Sequence, residues 1–187
     1  FGIPYEGTEE EKLISSNNLR NFDHVSVRDD MSYDIATNDF GVSDVEKVCD
    51  PTFLCPIEEY QKLINMAEQK EDEKYILAYI LDPNEDIAAN LKLISEKKNT
   101  KIIVLLDELP TEFKINVEKM HLPESSNIEI KKEVTLYDWM WYYSHADSVV
   151  TDSFHGTIFS LIFKKPFITL TNEKRGAARF VSLLTPL

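Results

Sequence analysis

Two nearly unbroken apolar runs, KYILAYIL at residues 74–81 and KIIVLLD at 101–107, constrain this chain most. A strand with one wet face alternates apolar and polar residues. A run without that alternation belongs in a strand covered on both faces. Asp82-Pro83 stops the first run, and EDIAANLKLISEKK follows as an amphipathic helix with basic residues in its last turn. The second run is followed by a helix expected near Glu112 to Lys119. The same alternation continues through a strand at NIEIKKE, a helix at TLYDWMWYYSHA, a strand at SVVTD, a helix at GTIFSLIFKK, a strand at PFITL and a last helix through RGAARFVSLL. Upstream, HVSVRD (24–29) reads as a strand, with a short helix from Met31 to Thr37. A turn at Asp50-Pro51 follows, and Pro56 opens a helix over IEEYQKLINMAEQ. This order specifies an α/β fold, a Rossmann-like parallel sheet with helices on both faces.

The regular alternation begins near residues 50–57. Residues 1–50 therefore read as a segment carried over from a preceding N-terminal domain, or as an extra layer. Residues 51–187 read as the Rossmann-like domain. The opening FGIPYEGTEEE has neither an initiator Met nor the basic start of a signal peptide, and the closing RFVSLLTPL stops on an apolar run. The expectation is a piece of a longer protein.

Net charge is −13, from 33 acidic and 20 basic residues, which argues against binding nucleic acid through its phosphates. Small anions remain open, since a few local donors can hold one inside an acidic protein. No apolar run reaches the roughly 20 residues of a membrane-spanning helix. Cys49 and Cys55 lack C-x-x-C spacing, and without a secretory signal a reducing, cytoplasmic location is expected. His24, His121 and His145 show no metal-ligand spacing, so no metal is expected.

Open parallel sheets bind ligands at the C-terminal ends of their strands. The polar residues expected there are Arg28-Asp29, Asp50, Asp82, Asp107 and Asp152-Ser153-Phe154-His155. Several of the aspartates suit plain turn or cap positions. The turn from Asp152 to Gly156 combines more. Asp152 or Ser153 can cap the following helix, and Gly156 allows close backbone approach to a ligand. The helix start favours a phosphate or carboxylate, and His155 can donate a proton near neutral pH. The competing reading is an ordinary strand-to-helix turn with a His satisfied by its neighbours. Arg28 offers a planar partner for a carboxylate or phosphate, unless it pairs with a nearby acid. Arg175 and Arg179, four apart, share one face of the last helix. Trp139, Trp141, Tyr142 and Tyr143 form either a sugar-stacking platform or part of a core. Neither GxGxxG, nor a Walker A sequence, nor GxSxG occurs. Ser153 and His155 sit too close on one tight turn to face each other as a catalytic pair.

Three separated segments resemble the polysaccharide pyruvyl transferase family: HVSVRD with VCDPTFL, then ADSVVTDSFHGTIFSLIFKKPFITL, then KRGAARFVSLL. The resemblance covers essentially the whole chain. It implies a fold similar to GT-B glycosyltransferases, of which this chain looks like the C-terminal half, with the N-terminal domain completing the cleft. It also implies transfer of an enolpyruvyl-derived group from phosphoenolpyruvate to sugar hydroxyls, giving a pyruvate ketal on a bacterial surface polysaccharide or its precursor. Phosphoenolpyruvate is then the donor substrate, and no cofactor is needed. The partners implied are a saccharide acceptor and peripheral association with a membrane-bound glycan precursor.

In family members a His and Arg residues bind the donor. His155 matches that His, as general acid or phosphate ligand, and Arg28 matches the Arg of the SVR motif. Asp152, Ser153, Gly156, Thr157, Arg175 and Arg179 are the further substrate-binding candidates, with N–H groups near Gly156 and Thr157 facing the phosphate. Some relatives have Arg-Leu-His where this chain has Ser153-Phe154-His155. Either the anion contact moves, to Arg175 or Arg179, or the donor differs. Two other readings stand beside this one: a GT-B-like nucleotide-sugar glycosyltransferase and a non-catalytic sugar-binding module.

Overall fold

The computed structural model describes residues 5–106, 110–122, 127–171 and 176–185. The chain divides into two compact units, one of Phe1–Leu54 with Thr171–Leu187 and one of Cys55–Leu170.

In the first unit, α1 (Glu9–Leu19) opens on a capping box in which the Thr8 hydroxyl and the Glu11 carboxylate satisfy each other's backbone N–H groups. Its buried Ser16 donates to the Phe40 carbonyl at 2.5 Å, while Leu13 and Ile14 are exposed. Strand β1 (Val25–Val27) pairs in parallel with β2 (Val45–Lys47). Between them α2 (Asp30–Asp34), capped by the Asp29 side chain, runs into a π-helical stretch at Ile35–Asp39. The C-terminal helix, Ala178–Leu184, packs within this unit. The Asp30 N–H donates to the Ser182 hydroxyl at 3.1 Å, and that hydroxyl donates to the Asp30 carboxylate at 2.9 Å. Pattern alone assigns this helix to the domain at 51–187, because the strand–helix alternation runs on unbroken. Its contacts place it with the first unit instead.

The second unit carries α3 (Ile57–Ile64), β3 (Tyr75–Ile80), α4 (Glu85–Lys98), β4 (Lys101–Leu106), α5 (Pro110–Met120), β5 (Ile128–Ile130), α6 (Leu136–His145), β6 (Ser148–Thr151), α7 (Phe154–Ile162) and β7 (Phe167–Thr169). The five strands form a parallel sheet in the order β5-β4-β3-β6-β7. Alternate residues of the two unbroken runs feed two cores. Tyr75, Leu77, Ile103 and Leu105 pack in one cluster with Ile64 of α3, Tyr142 of α6 and Phe159 of α7. Ile76, Ala78, Ile102 and Val104 pack in the other with Leu91 of α4 and Met120 of α5. Both sides of each strand are therefore apolar, and this explains why the runs show no alternation.

The chain proceeds outward from β3 to β5 and then returns across the sheet to β6, beside β3. Right-handed crossovers taken in opposite directions put α4 and α5 on one face and α6 and α7 on the other. The strand order reverses between β3 and β6, which is where open α/β sheets form their ligand crevice.

Candidate functional site

The C-terminal edge of this sheet gathers the turn after β6. Thr151 lies opposite Tyr79 of β3, and its hydroxyl donates to the Tyr79 carbonyl at 2.7 Å. The next residue, Asp152, is buried, and its carboxylate spans the reversal point. One oxygen accepts the Leu81 N–H at 2.7 Å and the other accepts the Asp82 N–H at 2.8 Å. Burial pushes this carboxyl above the usual range, with the negative charge of Asp82 adding, and the two N–H donors counter only part of the rise.

Of the two cap candidates, Ser153 does the capping. Its hydroxyl accepts the Gly156 N–H at 3.2 Å, and its own N–H donates to the Thr151 hydroxyl at 3.1 Å. Helix α7 therefore begins at Phe154, ahead of the expected start. The Ser153 carbonyl accepts both the Thr157 N–H at 3.0 Å and the Thr157 hydroxyl at 3.1 Å. The N–H groups of Gly156 and Thr157, expected to face a phosphate, are thus bonded to Ser153. Thr157 is buried, and its hydroxyl pairs with that of Thr169 at 2.8 Å.

Gly156 has a packing explanation. A Cβ there would lie 2.4 Å from Thr151 Oγ1 and 2.6 Å from the Tyr143 hydroxyl, so the missing side chain admits the sheet and α6 rather than a ligand. His155, in the first turn of α7, is exposed, with its ring edge-to-face with Phe154 at 5.6 Å.

Arg28 stands at the end of β1 in the first unit and forms an ion pair with Asp50. Burial would raise the Asp50 carboxyl, but the Thr52 hydroxyl (2.6 Å), the Thr52 N–H (3.0 Å) and the Arg28 guanidinium outweigh it and hold it below the usual range. An open cleft of about 420 Å³ lies here, lined by Arg28, Asp29, Ser32, Val48 and Cys49 among others. Arg179, on the C-terminal helix, is held below the ordinary arginine value by burial and by the like charge of Arg28, against the opposing pull of Asp29. Arg28 and Arg179 therefore share one electrostatic neighbourhood. Arg175 and Asp107 lie outside the described residues.

The aromatic cluster of α6 divides. Trp141, Tyr142 and Tyr143 are buried in the core, whereas Trp139 is half-buried. With Tyr79, Leu105, Leu136 and Phe159, Trp139 lines a second cleft of about 420 Å³ at the ends of β3 and β4. Sequence reasoning missed this cleft because its walls come from four separate elements, β3, β4, α6 and α7, and from the segment that leads into α6. Cys49 and Cys55 are free thiols. Among the described residues, no three His, Cys, Asp or Glu gather as metal ligands, and no helix is long and apolar enough to cross a membrane.

The family model for polysaccharide pyruvyl transferase matches residues 1–174. No curated protein matches the sequence. Among solved structures, UDP-GlcNAc 2-epimerase of Methanocaldococcus jannaschii, solved in complex with UDP-GlcNAc and UDP, is 20% identical with a TM-score of 0.53; the match covers 73% of this chain and 43% of that one. The same enzyme from Neisseria meningitidis, bound to UDP-GlcNAc, is 14% identical with a TM-score of 0.47, over 76% of this chain and 44% of that one. The chain thus spans less than half the length of these structures. At such identities the likeness to the first is one of fold, the GT-B-like arrangement of a parallel sheet between helices.

Proposed function

The chain belongs to the polysaccharide pyruvyl transferase family, and on that basis we propose that the full-length protein builds a pyruvate ketal on a saccharide, with phosphoenolpyruvate as donor. Protonation of the donor's methylene carbon gives a methyl group and a cationic centre at C2. One sugar hydroxyl attacks that centre and gives up its proton; a second displaces phosphate, its proton leaving with that phosphate, which gives the ketal and inorganic phosphate. We assign the donor proton, or a contact to the leaving phosphate, to His155.

One observation carries this assignment. In the turn after β6, the side chains of Asp152, Ser153 and Thr157 are buried and bonded inward, while His155 is exposed at the strand-end edge of the sheet. A proton-capable side chain placed there suits a reacting group, whereas the other three suit a scaffold. In addition to its ion pair with Asp50, Arg28 is proposed as a ligand for the donor's carboxylate or phosphate, supported by its place at a strand end beside an open cleft. Arg179 is proposed as a further anion contact, in the same unit as Arg28 and within reach of its charge.

The test is incubation of full-length protein with a saccharide acceptor and either phosphoenolpyruvate or a nucleotide sugar. Phosphate release with ketal formation supports the proposal. Nucleotide release makes the protein a glycosyltransferase instead, and saccharide binding without either product makes it a binding module.

A further inference from the structure

We propose that Asp152 is a positioning residue, which sets the His155 turn by latching the end of β6 to the end of β3. The inference rests on the role given to His155 above. The two strands are neighbours in the sheet but are reached by opposite crossovers, so nothing in the local chain path holds their ends together at the reversal point. The ladder between them ends at Tyr79 opposite Thr151. Beyond it the Asp152 carboxylate grips two successive N–H groups, at 2.7 and 2.8 Å, on residues about 70 positions earlier. These donors lie two and three residues past the ladder's last β3 residue, so the side chain carries the hold on β3 onward through Leu81 and Asp82.

The cost of this arrangement argues that it serves more than stability. A buried carboxylate with two backbone donors and a second carboxylate nearby at Asp82 keeps a raised proton affinity. A neutral side chain would fill the site at less expense in desolvation. What the charged form adds is geometry. Two fixed acceptors hold residue 152, and Ser153 then caps α7 and fixes the first turn, where His155 sits two residues on. Asp152 touches neither donor nor acceptor in this account and acts only through that turn.

The full-length protein carrying Asp152→Asn tests this. The amide keeps the shape but sets an NH2 group against one of the two N–H donors. Turnover with phosphoenolpyruvate is expected to fall about 10- to 100-fold, with donor KM close to wild type and the protein still folded at the assay temperature despite a lower Tm. Amide exchange at Leu81, Asp82, Gly156 and Thr157 is expected to accelerate by an order of magnitude or more. Wild-type turnover, or a loss of turnover that only follows a loss of Tm, overturns the proposal. If the wild type makes no ketal from phosphoenolpyruvate, the donor assignment fails and exchange alone decides the latch: unchanged protection at those four amides in Asp152→Asn overturns it, and its loss supports it. Should Asp152→Asn not fold, Asp152→Ser carries the same measurements; failure of both to fold makes Asp152 a structural residue and overturns the proposal.

Discussion

The carboxylate of Asp138 in α6 accepts the backbone N–H of Gln69, 69 residues earlier in the chain, at 2.8 Å. The same buried carboxylate accepts the Glu68 N–H at 2.9 Å, and from Thr135 the N–H at 3.0 Å and the hydroxyl at 2.6 Å. One side chain thus supplies half of the capping box of α6, whose cap residue is Thr135, and ties down the segment that leads from α3 into β3. Replacing Asp138 with Ala leaves two distant N–H groups without their acceptor and breaks that half of the capping box. A loss of about 2–4 kcal/mol is expected by urea unfolding at neutral pH.

The same residue gives a pH dependence. Burial raises the Asp138 carboxyl, but the hydrogen bonds from Thr135, Gln69 and Glu68 outweigh it and hold it below the usual range. Its stabilising contribution is therefore complete above the unfolded carboxyl value of about 3.9. It is lost as pH falls through the lower folded value. Asp138→Asn should be less stable than wild type at neutral pH, and the gap should narrow on acidification below about pH 4. A gap that widens there contradicts this sign.

At the opposite edge of the sheet, Lys101 contacts Glu71 at 2.5 Å and Glu129 at 2.9 Å, and Lys131 contacts Glu129 at 2.6 Å. The Lys101 side chain is 19% exposed and that of Glu71 12%, so salt screens this network poorly. Burial lowers the proton affinity of Lys101, but Glu71 and Glu129 raise it well beyond that loss. The network's stabilisation is then present throughout neutral pH and is lost only as pH rises through the raised lysine value. Lys101→Met should cost about 1–3 kcal/mol, because it leaves Glu71 partly buried with a weaker partner. The penalty should change little between low and moderate salt in thermal melts.

Gly156→Ala is expected to destabilise the protein by about 1–3 kcal/mol, although alanine favours helix more than glycine does. The new Cβ would meet the Thr151 and Tyr143 oxygens. Tyr143→Phe removes one of those obstacles. The double variant should therefore recover part of the loss, a coupling that a double-mutant cycle of unfolding free energies reads directly.

The legible parts of this fold are those where one residue pattern has one physical cause. The runs at β3 and β4 are apolar throughout because both faces are covered, and the helix expected at EDIAANLKLISEKK is α4 residue for residue. Helix α1 was not legible from its apolar residues, since Leu13 and Ile14 are exposed; only the Thr8–Glu11 spacing of its capping box signals it. Strand β2 has three residues, VEK, too few for a period. Helix α3 stops at Ile64, short of the run IEEYQKLINMAEQ, because the following segment turns to meet Asp138.

At the candidate site, the strand–turn–helix order and the position of His155 follow from sequence. The division of labour around it does not. A glycine that admits a ligand and one that admits a tyrosine hydroxyl look alike in a sequence. So do an aspartate that caps a helix and one that joins two strands 70 residues apart, because the partners are brought together only by the sheet order.

The most direct measurement is ketal formation by the full-length protein with phosphoenolpyruvate and a saccharide acceptor, comparing wild type with His155→Gln. The expected result is phosphate release in step with ketal formation by the wild type, and a turnover lower by about 10²–10⁴-fold in the variant. Wild-type turnover and donor affinity in His155→Gln would contradict the role assigned to His155.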